Sequence, residues 1–225
     1  MTANQSAGVL FDVDGTLVDT TYLHSVSWWQ AFRQFSHDVP MANIHRAIGM
    51  GSDKLLDHLL GSDRDRSADG KVVDGHSAHF ATYWDRLRPL PGAADLVRAC
   101  AARGLKVVLA TSASEPEAAA LRATLGVDDV LTAVTSAADA EQSKPAPDIV
   151  ATALAKADLS ADRVLFIGDS VWDVLAAARL DIGCVALTCG GTGRAELAGA
   201  GATAVYEDPA DLLASLSESP LARLG

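Results

Sequence analysis

An open parallel α/β sheet interrupted once by a helical insert is the fold this sequence predicts, and three features predict it. Short runs of β-branched and aliphatic residues are apolar on consecutive positions, as in strands covered on both faces. Alanine-rich helical stretches alternate with them, and strand-then-helix repetition is the pattern of a parallel sheet. The stretch 19–88 alone breaks the rhythm, with helical periodicity and no convincing strand.

The strands read as 8–13, 106–110, 130–135, 163–167, 184–187 and 202–206. The helices between and after them read as 92–103, 115–125, 146–157, 171–180 and 209–216. Inside the insert, helical patterns cover 23–35, 41–47, 53–60 and 72–88. Pro89 and Pro91 mark the return to the sheet, because proline and the residue before it resist helix. The expected division is therefore a core of 1–18 and 89–225 with a helical cap domain of 19–88. Gly190-Gly191-Thr192-Gly193 lacks the lysine of a nucleotide loop and reads as a strand-to-helix turn.

A chain of 225 residues, 49% hydrophobic and 21% charged, can bury one core domain and a smaller insert. A formal charge of −11 repels polyanions, which argues against nucleic acid and anionic membranes as partners. Any phosphate site must then be locally positive, through a metal, a lysine or backbone N–H groups. Cys100, Cys184 and Cys189 have no metal-knuckle spacing and read as reduced thiols. The first ten residues lack a leader pattern, and no apolar run approaches a membrane span. The expectation is a cytoplasmic protein; a monomer is the favoured state, although the sequence leaves this open.

The chemistry concentrates at strand ends. Phe11-Asp12-Val13-Asp14-Gly15-Thr16 closes the first strand. Asp12 and Asp14, two apart on an extended backbone, point to one side at the edge where open sheets bind ligands. Two close carboxylates repel unless a cation sits between them. Three further segments complete the set: Val107-Val108-Leu109-Ala110-Thr111-Ser112, Ser143-Lys144-Pro145-Ala146-Pro147-Asp148, and Phe166-Ile167-Gly168-Asp169-Ser170-Val171-Trp172-Asp173.

These four segments, in this order, resemble the four motifs of the haloacid dehalogenase superfamily over nearly the whole chain. The resemblance implies a Rossmann-like core with a helical cap, Mg²⁺ as cofactor, and phosphatase action on a small phosphorylated metabolite. It makes Asp12 the nucleophile that forms an aspartyl-phosphate and Asp14 the general acid and base. Thr111, Ser112 and Lys144 would hold the phosphoryl group. Oxygen ligands from Asp12, the Asp14 carbonyl and Asp169 suit Mg²⁺, with Asp173 one helical turn further on. Relatives that remove halide lack the second aspartate, so Asp14 argues against the namesake reaction. Two alternatives stand beside hydrolysis: phosphoryl transfer on a sugar phosphate, as in β-phosphoglucomutase-like relatives, and a non-catalytic binding module.

In the cap, His24 resembles a hinge histidine of that branch and reads equally as a helix-surface residue. Gly49 and Ser52 lie in a loop expected to face the core. Ser52 stands roughly where mutase-like relatives carry a basic residue, and the nearest bases are Arg46 and Lys54. Trp28, Trp29 and Trp84 are expected to pack within the cap.

Overall fold

The computed structural model describes residues 6–224. The expected membership of 1–5 and 225 in the core, and the reading of the leader-free amino terminus, lie outside the described residues in whole or part.

Six parallel strands form one sheet in the order β3-β2-β1-β4-β5-β6. They are β1 Gly8–Phe11, β2 Lys106–Ala110, β3 Ala133–Thr135, β4 Val164–Gly168, β5 Gly183–Leu187 and β6 Ala204–Tyr206. β1 is buried at every position, as a central strand covered on both faces must be. Its alternate residues feed two apolar layers. Val9 and Phe11 join the layer containing Leu96 and Val97 of α5 (Ala93–Ala102) and Leu121 of α6 (Glu115–Leu125). Leu10 joins the opposite layer, with Ile149 and Ala153 of α7 (Asp148–Ala157) and Val174 of α8 (Val171–Ala178). α9 (Arg194–Gly199) and α10 (Pro209–Ala214) complete the coat.

Between β1 and β2 lie α1 (Thr21–Gln34), α2 (Met41–Ala47), α3 (Ser52–Leu60) and α4 (Asp69–Ala81). They share a third apolar cluster centred on Trp28, Phe32, Ile44, Leu55 and Val72. No helix among the described residues is long and apolar enough to cross a membrane.

Several details differ from the sequence expectation. The helix expected over 72–88 starts at Asp69 and ends at Ala81, and a short 3-10 turn, Trp84–Arg86, follows. The chain has to leave the insert here, and Tyr83 and Trp84 pack on the sheet's apolar layer beside buried Phe80 and Leu87. Trp84 therefore belongs with the core rather than the cap interior. Trp28 is buried among the helices as expected, while Trp29 is half-buried under the Arg33 guanidinium, 5.9 Å from its ring centroid. The third strand begins at Ala133, because 128–130 turn as a 3-10 helix. α9 had no counterpart in the expectation: its six residues lie between glycine-rich flanks that mask any periodicity.

The register levels the strand ends. Phe11 pairs with Leu109 on one side and Ile167 on the other. The residues that follow β1, β2 and β4 therefore emerge at one edge, where the strand order reverses and open sheets form their crevice.

Candidate active site

β1 delivers Asp12, whose backbone N–H donates to the Ile167 carbonyl at 2.9 Å. The chain then turns back on itself, with Gly15 N–H donating to Val18 O at 2.9 Å and Leu17 N–H to Val13 O at 2.9 Å. Gly15 adopts φ +78°, and a side chain there would collide with Thr21 and the Asp169 carboxylate. β4 ends in Gly168, so Asp169 opens the turn into α8 beside Asp12.

Lys144 sits between two of these acids. Its Nζ donates to Asp12 Oδ1 at 2.5 Å and to Asp173 Oδ1 at 2.7 Å, and the residue is 1% exposed. The other Asp173 oxygen accepts from Ser170 N–H at 3.1 Å and from Ser170 Oγ at 2.6 Å, a capping box at the start of α8. Thr16 Oγ donates to Asp169 Oδ1 at 2.9 Å and lies 3.3 Å from Asp12 Oδ2.

Three buried carboxylates thus crowd one ammonium. Asp12, Asp169 and Asp173 offer oxygens within 4.8 Å of one another. Burial pushes the Asp12 carboxyl up to about 7 against the pull of Lys144, and Asp173 and Asp14 add to the rise. Asp169 is driven well above the usual carboxylate range by burial, then by Asp173 and Asp12. Lys144 is held above its ordinary value: burial opposes its charge, but Asp12 and Asp173 outweigh burial. The excess negative charge and all-oxygen donor set fit a hard divalent cation such as Mg²⁺.

Asp14 is wired to the helical insert. Its Oδ1 accepts from Thr20 Oγ at 2.7 Å and lies 3.1 Å from His24 Nε2. The same nitrogen is 3.5 Å from Glu117 Oε1, and His24 Nδ1 is 3.1 Å from His76 Nε2. Burial opposes charge on His24, yet Asp14 and then Glu117 raise its pKa. His76 is pushed well below its normal value by burial and by His24. The raised His24 and lowered His76 favour His24 donating from both ring nitrogens, to Asp14 and to the lone pair of neutral His76. Burial raises Asp14 too, but His24 and Thr20 outweigh it and the carboxylate stays ionised.

A cavity of about 190 Å³ opens above these groups. Asp12, Asp14, His24, Gly49, Ser52, Thr111, Ser112 and Lys144 all line it, so the structure gathers these predicted residues around one space. Thr111 Oγ accepts from the Ala113 N–H at 3.0 Å, which fixes the loop after β2. Ser112 Oγ is buried without a partner, an orphan donor that a phosphoryl oxygen would satisfy. Asp169 and Asp173 lie beside the cavity rather than in its wall. Trp28 and Met50, the latter in the loop expected to face the core, also line it, as do Glu117 and His76, which escaped the sequence reading. The Ser114–Glu117 spacing signals a helix cap, not a site, and His76 has no local pattern.

The model of the haloacid dehalogenase-like hydrolases matches residues 7–181. A phosphoglycolate phosphatase of Rhodospirillum rubrum is 31% identical over 218 residues, covering 91% of this chain and 88% of that one. A hydrolase from Pseudomonas syringae superposes with a TM-score of 0.90 at 33% identity, covering 95% of this chain and 99% of that one. A β-phosphoglucomutase from Clostridium difficile shares the fold, with a TM-score of 0.81 at 17% identity over 95% of this chain and 96% of that one.

Proposed function

This chain belongs to the haloacid dehalogenase-like hydrolases and is a phosphatase, and from that premise we propose that it hydrolyses a small phosphorylated metabolite through an aspartyl-phosphate on Asp12. The observation that carries the proposal is one cavity lined by Asp12, Asp14, Thr111, Ser112 and Lys144, with Asp169 close behind. Asp12 Oδ2 attacks phosphorus; its O–P bond forms as the ester P–O bond breaks. The departing alkoxide takes a proton from the His24–Asp14 pair, which holds one proton between atoms 3.1 Å apart. Water then attacks phosphorus and gives a proton to the pair; its O–P bond forms as the Asp12 O–P bond breaks, which frees the carboxylate and releases phosphate. Lys144 holds Asp12 in place and offsets charge on the transferred group, while Thr111 and Ser112 offer donors to its oxygens.

Asp12, the Asp14 carbonyl and Asp169 would hold Mg²⁺, with Asp173 supporting that shell. The cation supplies charge neutralisation and orientation of the phosphoryl oxygens. We also propose that 19–88 is a cap hinged on the core of 1–18 and 89–225, closing the cavity against bulk water. The reading carries with it a cytoplasmic setting and no nucleic-acid partner.

The test is hydrolysis of a generic aryl phosphate with and without Mg²⁺. Chelation is expected to remove turnover and added Mg²⁺ to restore it. Asp12→Asn is expected to abolish it with the far-ultraviolet circular dichroism unchanged; wild-type rates in that variant would overturn the nucleophile assignment.

A further inference from the structure

The cavity that holds Asp12 also says what the rest of the ester is. Among the described residues, Lys144 is its only lysine or arginine, and two carboxylates at 2.5 and 2.7 Å already engage that ammonium. The two bases nearest the cap loop turn elsewhere. Arg46 pairs with Glu196 at 2.5 Å, and Lys54 Nζ donates to Gln142 Oε1 at 3.2 Å. Neither lines the cavity. His24 is spoken for by Asp14 and Glu117.

Apart from Lys144 and the motif residues, the cavity is lined by Trp28, Met50, Val73 and uncharged His76, with the hydroxyls of Ser52 and Ser77 and the Glu117 carboxyl. An anion in that space would meet no unpaired cation, because the His24 imidazolium is already balanced by Asp14 and Glu117, and it would face Glu117, so its desolvation would go uncompensated. An uncharged, hydroxylated carbon chain would meet apolar surface for its carbons and acceptors for its hydroxyls. At about 190 Å³ the space is below the roughly 300–1,000 Å³ typical of drug-sized ligands, which favours a short chain.

We infer that the substrate is the phosphomonoester of a small neutral polyol or related alcohol, and that a second anionic group on the alcohol is rejected. The inference rests on the phosphatase reading above. It separates this chain from the relative named for phosphoglycolate, whose substrate carries a carboxylate beside the phosphate.

A matched pair tests it: 2-hydroxyethyl phosphate and phosphoglycolate, which differ by a hydroxymethyl against a carboxylate. With Mg²⁺, kcat/KM for the hydroxyl compound is expected to exceed that for phosphoglycolate by about tenfold or more. Ser77 is exposed on α4 at the cavity rim, so Ser77→Arg adds the missing cation at a tolerant position. That variant is expected to narrow the gap about tenfold. Equal or better turnover of phosphoglycolate by the wild type, with an aryl phosphate also hydrolysed, overturns the inference and leaves the phosphatase reading standing. An unchanged ratio in a folded Ser77→Arg protein also counts against it. No hydrolysis of any of the three esters would bring down both.

Discussion

Lys144 is the residue on which the site's electrostatics turn. Its ammonium is fully buried and touches Asp12 and Asp173, so removing it leaves carboxylates with no protein cation. Breaking a buried pair from one side typically costs about 3–5 kcal/mol. Lys144→Met is therefore expected to lower the unfolding free energy extracted from urea titration by an amount in that range and to abolish turnover. Mg²⁺ should raise its melting temperature more than it raises the wild type's; equal shifts would mean that the acids do not share a cation. Glu117 is the complementary case. Burial pushes it up to about 7 against the pull of His24, and its charge in turn raises His24. Glu117→Gln removes that support, so His24 loses its proton at lower pH. The alkaline limb of the kcat/KM profile is expected to move to lower pH, and an unmoved limb would show that His24 is not the titrating partner. The contrast between these two residues shows what the sequence could reveal. Lys144 was legible because S-K-P-x-P-D is a local pattern, whereas Glu117 and His24, 93 residues apart in sequence, meet only through the fold.

At the scale of elements, the site depends on level strand ends and on loops close enough to touch. The sheet was legible because consecutive apolar runs report strands covered on both faces. Strand order and register were not, since no pattern within one strand names its neighbour. The loop after β5 illustrates this. Its glycines read only as a turn, yet Gly190 lies so close to Asp169 that a Cβ there would overlap the carboxylate. Gly190→Ala must push Asp169 out of the acidic cluster. The expected result is a loss of roughly 10–100-fold in Mg²⁺ affinity or kcat, in the range for disturbed supports of metal ligands. The magnesium concentration for half-maximal activity measures it, and wild-type dependence on Mg²⁺ would remove Asp169 from the ligand set.

For the whole molecule, the decisive surface is the one where the four inserted helices rest on the sheet's ligand edge. Near its rim the contacts are mostly polar. Arg46 reaches Glu196, Lys54 reaches Gln142, and Trp172 Nε1 donates to the Arg46 carbonyl at 3.1 Å. Ser143 and Asp53 join by a hydrogen bond, and His45 Nε2 lies 3.2 Å from Gly190 O. Exposed pairs of this kind contribute about 0–1 kcal/mol each, so the proposed closure of the helices on the core would be shallow and reversible. That is what an enzyme needs if it must exclude water during one step and release phosphate in the next. Arg46 is 64% exposed at its side chain and serves no apolar layer. Arg46→Ala is therefore expected to leave the melting temperature within about 2–4 °C of wild type, the shift that 1 kcal/mol produces in a chain of this size. Under the proposed closure, losing up to 1 kcal/mol of closed-state preference would raise KM by at most about fivefold, while the acidic cluster keeps its place. Trp172 sits at the contact and reports it directly. Its fluorescence should respond to inorganic phosphate with Mg²⁺ in the wild type, and less so in Arg46→Ala. An unchanged KM together with an unchanged fluorescence response would mean that the helices do not open on the core, and that substrate enters by another route.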